Sequence, residues 1–193
     1  GKKAPVHFTR DELHWEPWLA AKPLAEFTPD EQALLAKFGH SDSPYFRLLA
    51  RNLPLLEQRT LTDKGIFYTP GGLPRAEREL AATVASKING CIYCASVHAR
   101  KAAQLAKDET AIETLLAVTP GEQLSDGQTP GWQAQIDFAA AISVTPPALS
   151  VDHLAAVEQQ GLDTLARLDL LQSAAFFAWA NRLMLTLGEP WQE

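Results

Sequence analysis

The chain has 193 residues, 46% of them hydrophobic and 21% charged, with a mean hydropathy of −0.12 and a pI near 5.4. That is the composition of one globular domain and excludes a disordered or fibrous chain. The formal charge of −6 argues against a nucleic-acid or anionic-membrane partner, since both select a cationic surface.

The opening residues GKKAPVHFTRDEL are basic but lack an apolar run, so no secretory signal is read there. The most apolar stretch, SAAFFAWANRLMLTLG at 173–188, is interrupted by Asn181 and Arg182 and is too short to span a bilayer. A cytoplasmic protein is expected, and in that compartment a lone cysteine pair is more often redox-active or metal-binding than structural.

In chain order, residues 1–27, with Trp15, Trp18 and several prolines, read as an irregular arm that packs on the domain or on a neighbouring subunit. Residues 28–193 read as a single all-helical domain. FTPDEQALLAKFG has Thr28 as N-cap, Pro29 at the first helical position, Glu31 three residues after the cap and Gly39 as terminator, a nearly complete set of helix signals. Helices are predicted over about 44–51 and 54–68. The loop TPGGLP (69–74) follows, and Pro74 opens the next helix, which runs to about 88 through the Ala-rich ERELAATVASKI. Asn89–Gly90 reads as a helix stop or sharp corner.

Further helices are predicted at about 91–107 and, capped by Asp108, at 109–118. TPGEQLSDGQTPG (119–131) is the most loop-like segment. After it come helices at about 131–144, 150–160 and 163–187, the last ending at Gly188. No alternation of β-branched residues marks a strand, so no sheet is expected. The fold class is all-α.

Chemistry concentrates in NGCIYCASVHARKAA (89–103), which holds both cysteines of the chain. On a helix, Cys91, Cys94 and His98 fall at i, i+3 and i+7 and share a face, which continues to Ala102 and Leu105 and leaves Arg100, Lys101 and Lys107 elsewhere. On the preceding helix Glu79, Thr83 and Ser86 form a polar stripe among Leu and Ala. The Asn89–Gly90 corner folds the two stripes toward each other. A thiolate is the reacting form of cysteine, and a helix N-terminus and a nearby imidazole both favour it. Glu79 and His98 are candidates to pass a proton to a leaving oxygen or thiolate.

Three readings of the cluster stand side by side. The first is a dithiol–disulfide redox centre. The second is a zinc site in which Cys91, Cys94 and His98 are ligands and Glu79 is the fourth; structural zinc sites usually draw on a second Cys/His pair, which this chain lacks. The third is packing, with two small apolar cysteines and a satisfied core histidine. The remaining histidines, His7, His14, His40 and His153, pair with no other ligand type. Arg182 is read as structural, and the tryptophans as core or interface anchors. No glycine-rich phosphate loop is present.

Residues 75–107, RAERELAATVASKINGCIYCASVHARKAAQLAK, resemble the signature of the carboxymuconolactone decarboxylase/alkylhydroperoxidase D (AhpD)-like superfamily, and more closely its peroxidase-related branch. The family pattern of Glu, about twelve residues, Cys-x-x-Cys and x-x-x-His falls on Glu79, Cys91, Cys94 and His98. AAFFAWANRLMLTLG near the C-terminus is similar to the family's closing helix.

The resemblance implies an AhpD-like helical bundle that assembles as homotrimers or hexamers, and a thiol peroxidase or disulfide reductase that needs no cofactor and no metal. Its partners are a small hydroperoxide and a dithiol or protein reductant. In that cycle Cys94 attacks the hydroperoxide, becomes a sulfenic acid and is resolved by Cys91, while Glu79 and His98 relay protons. Tyr93 stands where the characterised peroxidase has a second histidine; it donates a hydrogen bond but is a poor base, which favours slow peroxide turnover or a disulfide substrate. Tyr93 and Ser86 are secondary candidates. Helix-dipole reasoning alone favours Cys91 as nucleophile; proximity to His98 and the resemblance favour Cys94. The decarboxylase branch lacks the cysteine pair, so a non-redox member acting on a small carbonyl or lactone is the remaining alternative.

Overall fold

The computed structural model describes residues 1–193. Helix boundaries follow local chemistry. In α1 (Pro29–Lys37) Thr28 and Glu31 form a reciprocal capping box, satisfying two of the free amides of the first turn. Ser43 caps α2 (Pro44–Leu49), Asn52 caps α3 (Leu53–Tyr68), Asp108 caps α6 (Glu109–Ala117) and Asp163 caps α9 (Thr164–Leu187), each through a side-chain oxygen that accepts from a first-turn amide. Between them lie α4 (Arg75–Asn89), α5 (Ile92–Ala106), α7 (Pro130–Ser143) and α8 (Val151–Gln159). The all-α expectation holds, and no helix is long and apolar enough to cross a membrane.

The centre of the bundle is α4, with α5, α7 and α9 packed around it. Every residue from Arg78 to Lys87 is buried. Small side chains make this possible: Ala81, Ala82 and Ala85 of α4 and Ala95, Ala99 and Ala102 of α5 are all at most 1% exposed, so the two backbones approach closely and still fill space. Leu80, Ile112, Leu115, Ile136, Phe138 and Leu170 complete the main core.

Two buried cations inside this core bond to backbone carbonyls. Arg78 donates to the carbonyls of Leu73, Ile66 and Gly71 and so pins the loop between α3 and α4. Lys87 donates through Nζ to the carbonyls of Leu115, Leu116 and Val118 at 2.7, 3.0 and 2.6 Å, closing the C-terminus of α6, where a cation is favoured by the unpaired carbonyls.

One expectation is corrected. A two-stranded antiparallel sheet forms between β1 (His14–Pro17) and β2 (Gly188–Trp191), in register from His14 opposite Trp191 to Pro17 opposite Gly188. Its four-residue strands each contain a proline, so neither shows the alternation that identifies a strand in sequence. Gly188 is required by contact: a Cβ there would lie 2.3 Å from both the Glu16 carbonyl and the Trp15 ring. The N-terminal arm is therefore seated on its own domain. Trp15 is buried and donates through Nε1 to the Met184 carbonyl at 3.2 Å, Arg100 donates to the carbonyls of Arg10 and Asp11, and Arg10 pairs with Glu113.

The Lys87 contacts are testable by Lys87→Met, which keeps the aliphatic volume and removes the three donors. It is expected to lower the unfolding free energy by about 1–3 kcal/mol, read as a lower urea midpoint at unchanged slope; an unchanged midpoint would show that the α6 terminus does not need Lys87.

Candidate functional site

The site begins at the corner between α4 and α5. Gly90 has φ of 80° and is the left-handed cap of α4, a conformation that glycine takes without strain. Its backbone turn sends α5 back along α4. Cys91 is the N-cap of α5, and the Cys94 amide donates to its Sγ at 3.3 Å. Cys91 and Cys94 are joined by a disulfide with an S–S distance of 2.06 Å. The helix starts one residue later than its predicted position, which puts Cys91 at the positive end of the helix rather than inside it.

About three turns before the corner and two turns after it, Glu79 and His98 meet. Glu79 Oε2 lies 2.6 Å from His98 Nδ1, with Glu79 at 1% and His98 at 5% exposure. Burial pushes the Glu79 carboxyl up, but its hydrogen bond and charge interaction with His98, helped by Lys101 and Arg75, hold it below the ordinary carboxylate value. An ionised carboxylate only accepts, so Nδ1 is the protonated, donating nitrogen and Nε2 is free for chemistry. The ring is braced by Phe177, edge-on at 3.8 Å between centroids, and by Phe67 at 6.0 Å.

The polar stripe on α4 splits. Thr83 Oγ1 donates to the Glu79 carbonyl and Ser86 Oγ to the Ala82 carbonyl, so both hydroxyls are turned into their own helix, as serine and threonine often are in helices. Ser86 also accepts from Asn181 Nδ2 at 3.0 Å, and Asn89 donates to Asn181 at 3.2 Å. Ser86 therefore locks α9 to the corner and lies outside the cavity described next.

Above Cys94 lies a cavity of about 840 Å³. Cys94, His98, Tyr93 and Val97 form its α5 wall, and Cys91 lies beneath, outside the lining. Tyr93 is thus at the cavity; burial raises its phenol pKa, leaving it a neutral hydrogen-bonding group. The only methionine of the chain, Met184, places Sδ 3.6 Å from Cys94 Sγ. In this disulfide form the sulfurs are bonded to each other and Nδ1 is engaged by Glu79, and no three His, Cys, Asp or Glu side chains group in a metal-holding arrangement.

Several cavity residues were not visible in the sequence. Lys101, expected to face away, lines the cavity, whereas Leu105, expected to face inward, is 38% exposed. His14 and His40, read as carrying little, both line it. His14 stacks on Trp191 at 4.2 Å; His40 stacks on Phe46 at 3.7 Å and shares a hydrogen bond with Thr60 Oγ1 at 2.9 Å. Tyr45 from α2, Arg59 and Asp63 from α3, and Asp42 and Ser43 just before α2 complete the polar part. Only the i, i+4 spacing of Arg59 and Asp63 was a usable signal. Arg182, as expected, has a structural contact, donating to Thr145 Oγ1 at 3.2 Å.

Comparison with known proteins agrees with this fold. Residues 54–120 match the carboxymuconolactone decarboxylase family, a segment that contains Glu79, Cys91, Cys94 and His98. Among curated proteins none matches the sequence. The fold is similar to that of the alkylhydroperoxidase AhpD core of an uncharacterized peroxidase-related protein from Ralstonia eutropha JMP134, with a TM-score of 0.72 at 20% identity, over 89% of this chain and 90% of that one. It is also similar to an uncharacterized peroxidase-related protein from Silicibacter sp. TM1040, with a TM-score of 0.67 at 23% identity over 88% and 92% of the two chains. A cysteine-to-alanine variant of the debrominase Bmp8 in complex with 2,3,4-tribromopyrrole superposes with a TM-score of 0.66 at 16% identity over 87% and 89%. The resemblance to the AhpD-like superfamily read from the sequence is borne out.

His40 supplies a pH-dependent expectation. Burial, with Arg59 and Lys64 nearby, lowers its pKa to about 4, against about 6.5 in the unfolded chain. Below about 6.5 the unfolded chain takes up a proton that the native imidazole refuses until about 4, so this residue costs stability progressively as pH falls through that window. His40→Gln should show a shallower loss of Tm between pH 6.5 and 4 than the parent; parallel curves would exclude the contribution.

Proposed function

We propose that this chain, with its AhpD-like fold and its match to the carboxymuconolactone decarboxylase family, is a thiol-dependent peroxidase that reduces small organic hydroperoxides through a Cys91/Cys94 dithiol–disulfide cycle. The observation that carries the reading is a disulfide of which one sulfur, Cys94, opens on a cavity beside a histidine backed by a buried carboxylate.

In the cycle, His98 Nε2 takes the Cys94 thiol proton, and Glu79 stabilises the imidazolium that results. The Cys94 thiolate attacks the distal peroxide oxygen; the O–O bond breaks, and the departing alkoxide takes the proton from His98 and leaves as the alcohol. Cys94 is then a sulfenic acid. Cys91, whose thiolate is favoured by its N-cap position, attacks the Cys94 sulfur. Hydroxide leaves, combines with the Cys91 proton as water, and the disulfide forms. An external dithiol returns both cysteines to thiols and is itself oxidised. Its regeneration places the protein in a reducing compartment such as the cytoplasm. With Tyr93 neutral and weakly basic between the cysteines, His98 is the sole proton acceptor of this scheme. The proposed assembly is a homotrimer or hexamer.

A second reading shares the same redox product. The aromatic cavity wall of Trp15, Phe38, Phe46 and Phe177 suits a small halogenated ring such as that bound by the debrominase. Two thiols would reduce the carbon–halogen bond to carbon–hydrogen, releasing hydrogen halide and forming the disulfide.

Purified protein with a dithiol donor is expected to consume cumene hydroperoxide. Cys94→Ser should abolish turnover, and pre-reduced Cys91→Ser, assayed with the donor removed, should stop after one equivalent with a trappable sulfenic acid. His98→Gln and Glu79→Gln should each slow it by roughly 10²–10⁴-fold. Equal consumption by the parent and Cys94→Ser would end the peroxidase reading, and bromide release from a bromopyrrole without peroxide turnover would replace it with the second. Light scattering should return a multiple of the 21.1 kDa chain mass; a monomer at micromolar concentration would refute the assembly.

A further inference from the structure

Arg59 and Tyr45 each carry a buried polar atom that the packing around them leaves unpartnered. Arg59, on α3, retains 8% of its side-chain exposure, and its Nε has no hydrogen-bond partner. The nearest carboxylate oxygen, Asp63 Oδ2, is 3.8 Å from Nη1, beyond hydrogen-bonding distance. The guanidinium lies over the ring of Phe46 at 4.8 Å and beside Phe176 at 5.5 Å. Tyr45, on α2, is 6% exposed, and its Oη is equally unpartnered. Both residues line the cavity above Cys94. Leaving one buried polar atom unpaired typically costs about 1–3 kcal/mol, and more for a charged group. Two donors left open in one cavity, neither with an acceptor at hydrogen-bonding distance, describe a place prepared for an acceptor from outside.

We propose that Arg59 and Tyr45 form a subsite for the carboxylate of an aromatic or branched-alkyl acid, so that the substrate entering this cavity is an amphiphilic monoanion rather than a neutral hydroperoxide. The guanidinium fork matches a carboxylate in shape, and the Tyr45 hydroxyl adds a neutral donor, since burial raises its pKa to about 12. Charge selects the class. The lining sets Arg59 and Lys101 against Asp42 and Asp63, so it carries no excess of positive charge beyond the guanidinium that faces the ligand, which suits one negative charge better than the two of a phosphate monoester. Trp15, Phe38 and Phe46 take the apolar body.

This assignment rests on the cavity above Cys94 being the substrate cavity of the peroxidase reading, and the test separates the two. Binding is measured by calorimetry on the disulfide form, without turnover, using 4-isopropylbenzoate and its neutral isostere 4-isopropylbenzamide. The acid is expected to bind at least tenfold more tightly, and Tyr45→Phe, Arg59→Lys and Arg59→Gln are each expected to reduce that ratio at least threefold. If Arg59→Gln does not fold, Tyr45→Phe and Arg59→Lys decide. In turnover, the hydroperoxide of 4-isopropylbenzoate should exceed cumene hydroperoxide in kcat/KM by at least tenfold. Acid and amide binding alike, neither binding, or folded variants that keep the full ratio would overturn the subsite. Selective acid binding with no hydroperoxide consumed would uphold the subsite and remove the peroxidase reading; hydroperoxide turnover without selective acid binding would do the reverse.

Discussion

A carboxylate buried to 1% exposure is tolerable only with a partner, and the Glu79–His98 contact at 2.6 Å supplies it. The two groups come from antiparallel helices joined by one glycine turn, so the pair requires α4 and α5 to stay in register. That register in turn sets where Cys91 and Cys94 emerge. Alanines at the α4–α5 contact permit the approach, Ser86 and Asn89 bring Asn181 of α9 against the corner, and Lys87 and Arg78 fasten the neighbouring helix end and loop through carbonyls. The most buried helix of the molecule is thus also the one that carries the acid of the site.

Around this rigid centre the cavity is assembled from elements that contribute little to the main core. Trp15 comes from the arm, Tyr45 and Phe46 from α2, and Trp191 from the closing strand. The small sheet brings the two chain ends together over the site. Trp15, Tyr45, Met184 and both cysteines form one apolar cluster, so the disulfide packs directly against the arm. In the proposed cycle chemistry and selectivity are separated in space: the reacting groups sit on α4 and α5, and most of the cavity walls on segments before residue 54 and after residue 120, outside the family match.

What was legible in the sequence follows the range of the interactions. Thr28–Glu31 and Asp108 act within one turn, so the helix starts they fix were readable, as was the Gly90 corner. Glu79, Cys91, Cys94 and His98 lie on or at the start of two consecutive helices, so periodicity within each helix, the Gly90 corner between them and the family resemblance together point to one cluster. The sheet was not readable, because its strands are short, contain proline and lie at opposite ends of the chain. Arg59, Tyr45 and His40 converge from separate elements without a spacing that links them to the cysteines. Thr83 and Ser86 show the limit of a stripe argument: periodicity puts a hydroxyl on a face, but a free backbone carbonyl four residues earlier decides where it points.

The two sulfurs differ in what surrounds them, and in the proposed cycle helix dipole and access act on different sulfurs. Cys91 has the N-cap position and the Cys94 amide as donor, which stabilise negative charge, but it lies beneath the cavity. Cys94 has the cavity, the histidine one turn away and the soft Met184 sulfur against it. In the proposed cycle the sulfur that meets substrate therefore draws its activation from a base, while the sulfur that resolves it draws activation from the helix. The same division favours reduction at Cys94: a dithiol attacking there expels Cys91 as a leaving thiolate that the Cys94 amide and the helix terminus stabilise. One helix terminus then assists both the closing and the opening of the disulfide, which a nucleophile placed at the N-cap itself could not achieve.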